Sequence, residues 1–185
     1  MSDVLGIGPH PDDLELGAGG TLALLAAAGR DVRLVDLTRG ERGTRGTPEI
    51  RAAEAQAACR ALGAAGRECL DLPDGGIQAR DLGQLEAVVA LIRRHTPRLV
   101  ITLSGLDDHP DHIEGADLVR RACYLAGIRN YPAPNHPPFR PARLLFAMGR
   151  RPFAPSVVVD VTAVYDHKRA ALAAYGSQFR RAADD

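Results

Sequence analysis

The feature that most limits how this chain can fold is an alternation: short runs rich in Val, Ile and Leu are separated by longer stretches whose apolar residues recur at helical spacing. That order marks βαβ units, in which crossover helices join parallel strands and cover the sheet. It places strands near 3–8, 32–37, 98–103, 143–148 and 157–161, with a weaker one near 67–70. Thr47 caps and Pro48 opens a helix whose Ile50, Ala53, Ala57, Ala61 and Leu62 fall at helical spacing before Gly63 ends it. Asp81 starts a second helix, with Leu82, Leu85, Val89 and Ile92 on one face and Pro97 as its stop. A third covers 114–126 up to Gly127, and a last one covers 162–175. The stretch 130–143 holds five prolines and reads as an irregular loop. The fold class expected is α/β: a Rossmann-like, mostly parallel sheet with helices on both faces, a three-layer αβα arrangement.

The 185 residues suit one domain spanning 1–185, and 45% hydrophobic with 25% charged residues sets disordered and fibrous classes aside. Basic and acidic residues balance at 23 each, so no net field steers the chain toward nucleic acid or a membrane surface. The start, Met1-Ser2-Asp3-Val4, lacks a signal-peptide pattern, and the apolar run Leu22 to Ala28 is too short to cross a bilayer. A cytoplasmic location is expected. Cys59, Cys69 and Cys123 are widely spaced and odd in number, which predicts free thiols rather than a disulfide framework.

The first strand runs directly into Gly8-Pro9-His10-Pro11-Asp12-Asp13, and the strand near 98–103 leads into Asp107-Asp108-His109-Pro110-Asp111-His112. Ligands of parallel α/β sheets sit beyond the carboxyl ends of the strands, so two such clusters can converge on one point. Imidazole and carboxylate are the ligands that a catalytic zinc takes, three from the protein with one position open for water. Each cluster also has a plainer reading. Asp12 and Asp13 could cap a helix starting near Leu14, and a single histidine could be a surface residue. The glycines do not make a nucleotide site, since Pro11 and Leu22 stand where a dinucleotide fingerprint needs glycine. The charged, glycine-punctuated stretch from Arg39 to Gly46 follows the second strand and is a candidate substrate loop. His95, just before Pro97, reads as a favourable charge at a helix end, and His136 and His167 lack acidic neighbours arranged to orient them.

The strings Gly8-Pro9-His10-Pro11-Asp12-Asp13-Leu14-Glu15-Leu16-Gly17 and His109-Pro110-Asp111-His112 resemble the two signature motifs of the LmbE-like, PIG-L-type deacetylases. Asp36-Leu37-Thr38-Arg39-Gly40-Glu41, Gly46-Thr47-Pro48-Glu49-Ile50-Arg51, Leu72-Pro73-Asp74-Gly75 and Ser177-Gln178-Phe179 look like the branch that deacetylates N-acetylglucosaminyl malate in bacillithiol synthesis. The resemblance implies one zinc ion per chain held by His10, Asp13 and His112. It implies Asp12 as general base, and His109, held and made more basic by Asp111, as the group that stabilises charge or donates a proton. Arg51 would face the substrate, unless it pairs with Glu54 on the helix surface. A small-molecule amino-sugar glycoside is the expected partner, and the family analogy suggests a trimer or hexamer.

Two departures accompany the resemblance. Asp108 stands where the bacillithiol branch usually has arginine, and the chain stops six residues after Phe179, so either the domain is shortened at its C-terminus or its pocket is finished differently. The alternatives carried alongside are a deacetylase of another N-acyl amino sugar, a two-histidine, one-carboxylate iron oxygenase, and a non-catalytic sugar-binding module with a structural zinc.

Overall fold

The computed structural model describes residues 2–133 and 136–179. Strands β1 (Val4–Gly8), β2 (Val32–Thr38), β3 (Gly66–Leu72), β4 (Leu99–Leu103) and β5 (Arg143–Ala147) form one sheet in the order β3-β2-β1-β4-β5. Every neighbouring pair is parallel. The helices are α1 (Asp13–Gly17), α2 (Gly19–Ala27), α3 (Pro48–Ala61), α4 (Leu82–His95), α5 (Pro110–Leu125), α6 (Tyr165–Ala174) and α7 (Gly176–Phe179).

Side chains alternate across a strand, and that period divides the interior into two layers. Leu5, Ile7, Val35, Leu37 and Val100 face α4 and α5, meeting Val88, Val89, Ile92, Leu118 and Val119. Val4, Leu34 and Ile101 point the other way, toward Leu14 of α1, Leu22 of α2, Ala55 and Ala58 of α3, and Ala171 of α6. Helices therefore cover both faces, as the alternating pattern predicts. Thr47 and Asp81 cap α3 and α4 through their side chains, accepting from the N–H groups of Ile50 and Gln84.

Two expectations need correction. The helix expected from 114 begins at Pro110, because the His109 side chain caps it and proline suits its first turn. The strand expected over 157–161 does not form: these residues lie outside the sheet, and Val157 and Val158 are exposed. Val161 instead packs on α2 at Gly20, where a Cβ would lie 2.8 Å from it, and this draws the segment over the α2 side of the sheet. The described part of the 130–143 stretch preceding β5 is irregular, as expected; Pro134 and Asn135 lie outside the described residues. No described helix is long and apolar enough to cross a membrane.

The strand order sets the position of the site. From β1 the chain steps outward to β2 and β3, then crosses back to place β4 on the other side of β1. The direction of winding reverses between β1 and β4, and it is beyond the carboxyl ends of the strands at such a reversal that ligands of parallel sheets bind. Both polar clusters follow these two strands.

Candidate metal centre

The turn after β1 is short and strained. Asp12 adopts φ 100°, a left-handed conformation that L-residues other than glycine rarely take. It occupies the N-cap position of α1, yet its side chain caps nothing, so the plain capping role does not apply and the carboxylate stays available. Asp13 is buried in the first turn of α1, where its Oδ2 accepts the His10 backbone N–H at 3.0 Å. Thr38 ties the turn to β2 by donating both its backbone N–H and its hydroxyl to the Pro9 carbonyl.

Asp13 lies between two imidazoles. Its Oδ2 is 3.1 Å from His10 Nδ1, and its Oδ1 is 3.2 Å from His112 Nε2. The outward nitrogen of each ring is held by another carboxylate. His10 Nε2 lies 3.1 Å from Asp111 Oδ2 and 3.2 Å from Asp74 Oδ1, while His112 Nδ1 lies 3.0 Å from Asp107 Oδ2. Carboxylates on the far nitrogens of metal-binding histidines fix ring orientation and tautomer and strengthen the ligands. One ligand atom from each of His10, Asp13 and His112 falls within 4.8 Å of the others. The donor set is nitrogen, oxygen, nitrogen, and it fits a zinc-type divalent ion.

The electrostatics point the same way. Burial by itself would lower the His10 pKa, but the hydrogen bond and charge of Asp13, with Asp111 and Asp74, raise it to about 9. Burial opposes ionisation of Asp13, and the two imidazoles overcome it and hold the carboxyl well below the ordinary carboxylate range. His112 is raised for the same reason, burial being outweighed by Asp13 and then Asp107. The cluster is acidic enough to demand a cation, which a proton on His10 supplies in a metal-free site. Asp12 is different. Burial and the neighbouring Asp13 charge push it up to about 7, with the Arg51 guanidinium pulling the other way.

His109 joins the group, its ring centroid 4.8 Å from both His10 and His112. The expected pairing of its ring with the Asp111 carboxylate does not form. His109 Nδ1 accepts from the Asp111 backbone N–H at 3.2 Å, while the Asp111 carboxylate takes His10 and the backbone N–H groups of Gly75 and Ile77. The His109 pKa is lowered rather than raised, by burial first and then by the positive charge of His10 and His112. Because Nδ1 accepts a hydrogen bond, the neutral ring carries its proton on Nε2 and can donate there.

Arg51 does not make the helix-surface pair with Glu54. It is buried, with Nη2 donating to the Pro11 carbonyl at 2.6 Å and lying 3.5 Å from Asp12 Oδ2, and Nη1 donating to the Gly40 carbonyl at 3.0 Å. Glu54 instead accepts from the backbone N–H and hydroxyl of Ser177. Two further contributors escaped the sequence reading. Asp107, five residues before His112, was visible in the second cluster; Asp74 had its signal in the Leu72-Pro73-Asp74-Gly75 string. The buried Glu15–Arg67–Asp36 network behind α1 left no such signal, because its members come from α1, β2 and β3.

Fold and site together define an α/β protein with a candidate metal centre of two imidazoles and a carboxylate at the switch point of its sheet. A family model described as PIG-L, GlcNAc-PI de-N-acetylase, matches residues 5–123. The chain belongs to that LmbE-like family, whose amide-hydrolysing class it shares. A probable N-acetyl-alpha-D-glucosaminyl L-malate deacetylase 2 of Bacillus cereus is 30% identical over 196 residues, covering 98% of this chain and 86% of the relative. A 1D-myo-inositol 2-acetamido-2-deoxy-alpha-D-glucopyranoside deacetylase of Salinispora arenicola is 32% identical over 155 residues; the match covers 66% of this chain but only 50% of that protein. Among solved structures, a conserved protein of Thermus thermophilus superposes with a TM-score of 0.92 at 45% identity, covering 97% of this chain and 80% of that one.

Proposed function

We propose that this protein is a zinc-dependent deacetylase that hydrolyses the acetamide of an N-acetylglucosamine glycoside, with N-acetylglucosaminyl malate as substrate, in the cytoplasm. The observation that carries the reading is the Asp13 carboxylate between two imidazoles, each backed by a further carboxylate, with the uncapped Asp12 carboxylate one residue away. His10, Asp13 and His112 would hold the ion. When bound, zinc supplies a Lewis acid that acidifies water and polarises an amide carbonyl.

The protein's own groups do the rest. Asp12, with a carboxyl poised near neutrality, takes the proton of the attacking water as general base. His109 presents Nε2–H to the charge that develops on the amide oxygen, a task for a pre-placed donor. The proton gathered by Asp12 then passes to the departing amine, which leaves as the free amino sugar with acetate as the other product. Asp111 and Asp74 fix the His10 ring, and Asp107 fixes that of His112.

The malate aglycone draws support from the Bacillus cereus relative and from Arg151, which pairs with Asp108 and so brings a guanidinium to the position that the resemblance assigns to arginine. Asp108 itself favours a second reading, a deacetylase for a glycoside with a neutral aglycone, as the name of the Salinispora arenicola relative describes. The experiment is amine release by the zinc-loaded protein from N-acetylglucosaminyl malate, the inositol glycoside and free N-acetylglucosamine. Preference for malate upholds the first reading and equal rates move it to the second. Release from none of them, nor from other N-acyl amino sugars, overturns both.

A further inference from the structure

We infer that Glu15 is a positioning residue: the hydrogen bond it accepts from the buried Arg67 fixes the rotation of α1 and so sets where the Asp13 carboxylate stands between His10 and His112. The inference rests on the reading of His10, Asp13 and His112 as zinc ligands. Asp13 opens α1 and Glu15 follows two positions later. Two steps along a helix turn a side chain by about 200°, so the two carboxylates leave the axis on opposite sides. Asp13 faces the imidazoles, while Glu15 is fully buried against Arg67 Nη1.

A five-residue helix is marginal alone, so what holds α1 must come from outside it. Beneath it β1 presents Gly6 and Gly8, where an added Cβ would lie 3.2 and 3.0 Å from Leu14. Leu14 thus rests on bare backbone. Apolar contact of this kind draws α1 onto the sheet without choosing its rotation, whereas a hydrogen bond is directional. Lys168 supplies one such bond to the Leu16 carbonyl, at an exposed position. Glu15 supplies a buried one. Arg67 sits beside Leu34 in register, and Asp36 lies two residues further along β2, so both point to the face that α1 covers. Asp36 takes the guanidinium on two N–H groups, Nε at 2.7 Å and Nη2 at 2.6 Å, which makes Arg67 a rigid post. Its Nη1 then reaches Glu15 Oε1.

Stability alone does not account for the arrangement. Two carboxylates share one buried guanidinium, and Glu15 Oε2 is buried with no hydrogen-bond partner. Apolar side chains of similar volume commonly serve stability as well or better. The position of Asp13 is where the network matters. With side-chain atoms about 5 Å from the axis, a helix rotation of about 10° carries the Asp13 oxygens about 1 Å, more than a metal site tolerates.

The test compares Glu15→Gln with Glu15→Met. Both side chains are neutral and unbranched, and both leave Arg67 paired with Asp36, but only the glutamine amide oxygen is a good acceptor for Nη1. Zinc affinity, read by chelator competition, is expected within about threefold of wild type in Glu15→Gln and about 10- to 100-fold weaker in Glu15→Met, the range for a group that orients a ligand. Equal affinities in the two variants, high or low, overturn the inference. Crystal structures of the metal-free variants give a readout independent of zinc. In Glu15→Met the Asp13 carboxylate should move by about 0.5 Å or more from its place beside His10 and His112, and in Glu15→Gln it should stay. An unmoved Asp13 in Glu15→Met overturns the inference. If wild type takes up no zinc, the metal reading fails and the crystal structures still decide the positioning. Should Glu15→Met not fold, Arg67→Lys, which keeps the charge and loses the fork, takes its place in both arms with the same expected outcomes.

Discussion

The two turns that build the site reach order by opposite routes. The turn after β1 is strained at Asp12, uncapped by its own side chains, and held from outside by Arg51 and Thr38. The turn after β4 supplies its own bonds. Asp107 Oδ1 accepts the N–H groups of Asp108 and His109, Ser104 Oγ accepts that of Leu106, and His109 caps α5. The difference separates two tasks. The self-bonded turn holds the candidate metal ligand His112 still, whereas the strained one leaves a buried carboxylate with the Arg51 guanidinium 3.5 Å away and no cap hydrogen bond, so that it can accept a proton. Side-chain satisfaction that would stabilise Asp12 would also remove it from the chemistry.

That contrast can be broken most sharply at Asp12 itself. Asp12→Asn is expected to retain zinc by metal analysis and to lose about 10²- to 10⁴-fold in turnover, the range that a general base supplies. Retained turnover would strip the strained turn of its proposed role. Metal affinity should follow pH through His10. Its pKa in the metal-free fold, about 9, lies above the ordinary histidine value, so protonation stabilises that fold below about 6.5 and the gain fades as pH rises through 9. Zinc needs the neutral ring, so affinity should climb about tenfold per pH unit from 7 to 9 and then level off, as competition with a chelator would show.

On the self-bonded turn, Asp107→Asn should weaken zinc binding by about 10- to 100-fold, as loss of a carboxylate behind a ligand histidine does. The smallest effects concern stability and should differ in sign. Asp12→Gly should raise the stability of the metal-free protein by about 1 kcal/mol by relieving the left-handed backbone, while His109→Ala should lower it by about 1 kcal/mol through loss of the α5 cap. Chemical denaturation at pH 7 reads both, and changes of the same sign would erase the distinction between the turns.

Much of this was legible in the chain. The alternation of apolar runs located all five strands, and Thr47, Pro48 and Asp81 marked their helices, because caps and periodicity are local properties. The run Val157 to Val161 misled because β propensity expresses how a side chain packs on its neighbours, and here Val161 found α2 rather than a strand partner. The convergence of His10, Asp13 and His112 was likewise legible from two dense clusters following strands. Which carboxylate faces which imidazole was not: Asp111 lies next to His109 and His112 in sequence, yet its side chain turns to His10. The burial of Arg51 was equally hidden, since helical periodicity does not reveal that a loop 11 residues earlier folds over its guanidinium.

The contact between His10 and Asp111 spans 101 positions of the chain. A metal held by His10 and Asp13 on one side and His112 on the other would therefore act as a cross-link closing a loop of about 100 residues. By the chain-entropy estimate for such closures, it would restrict the unfolded ensemble by about 4 to 5 kcal/mol, as a long-range disulfide does. The ion would then be a topological fastener between the two windings of the sheet, and chelation would loosen the chain as a whole along with silencing the site.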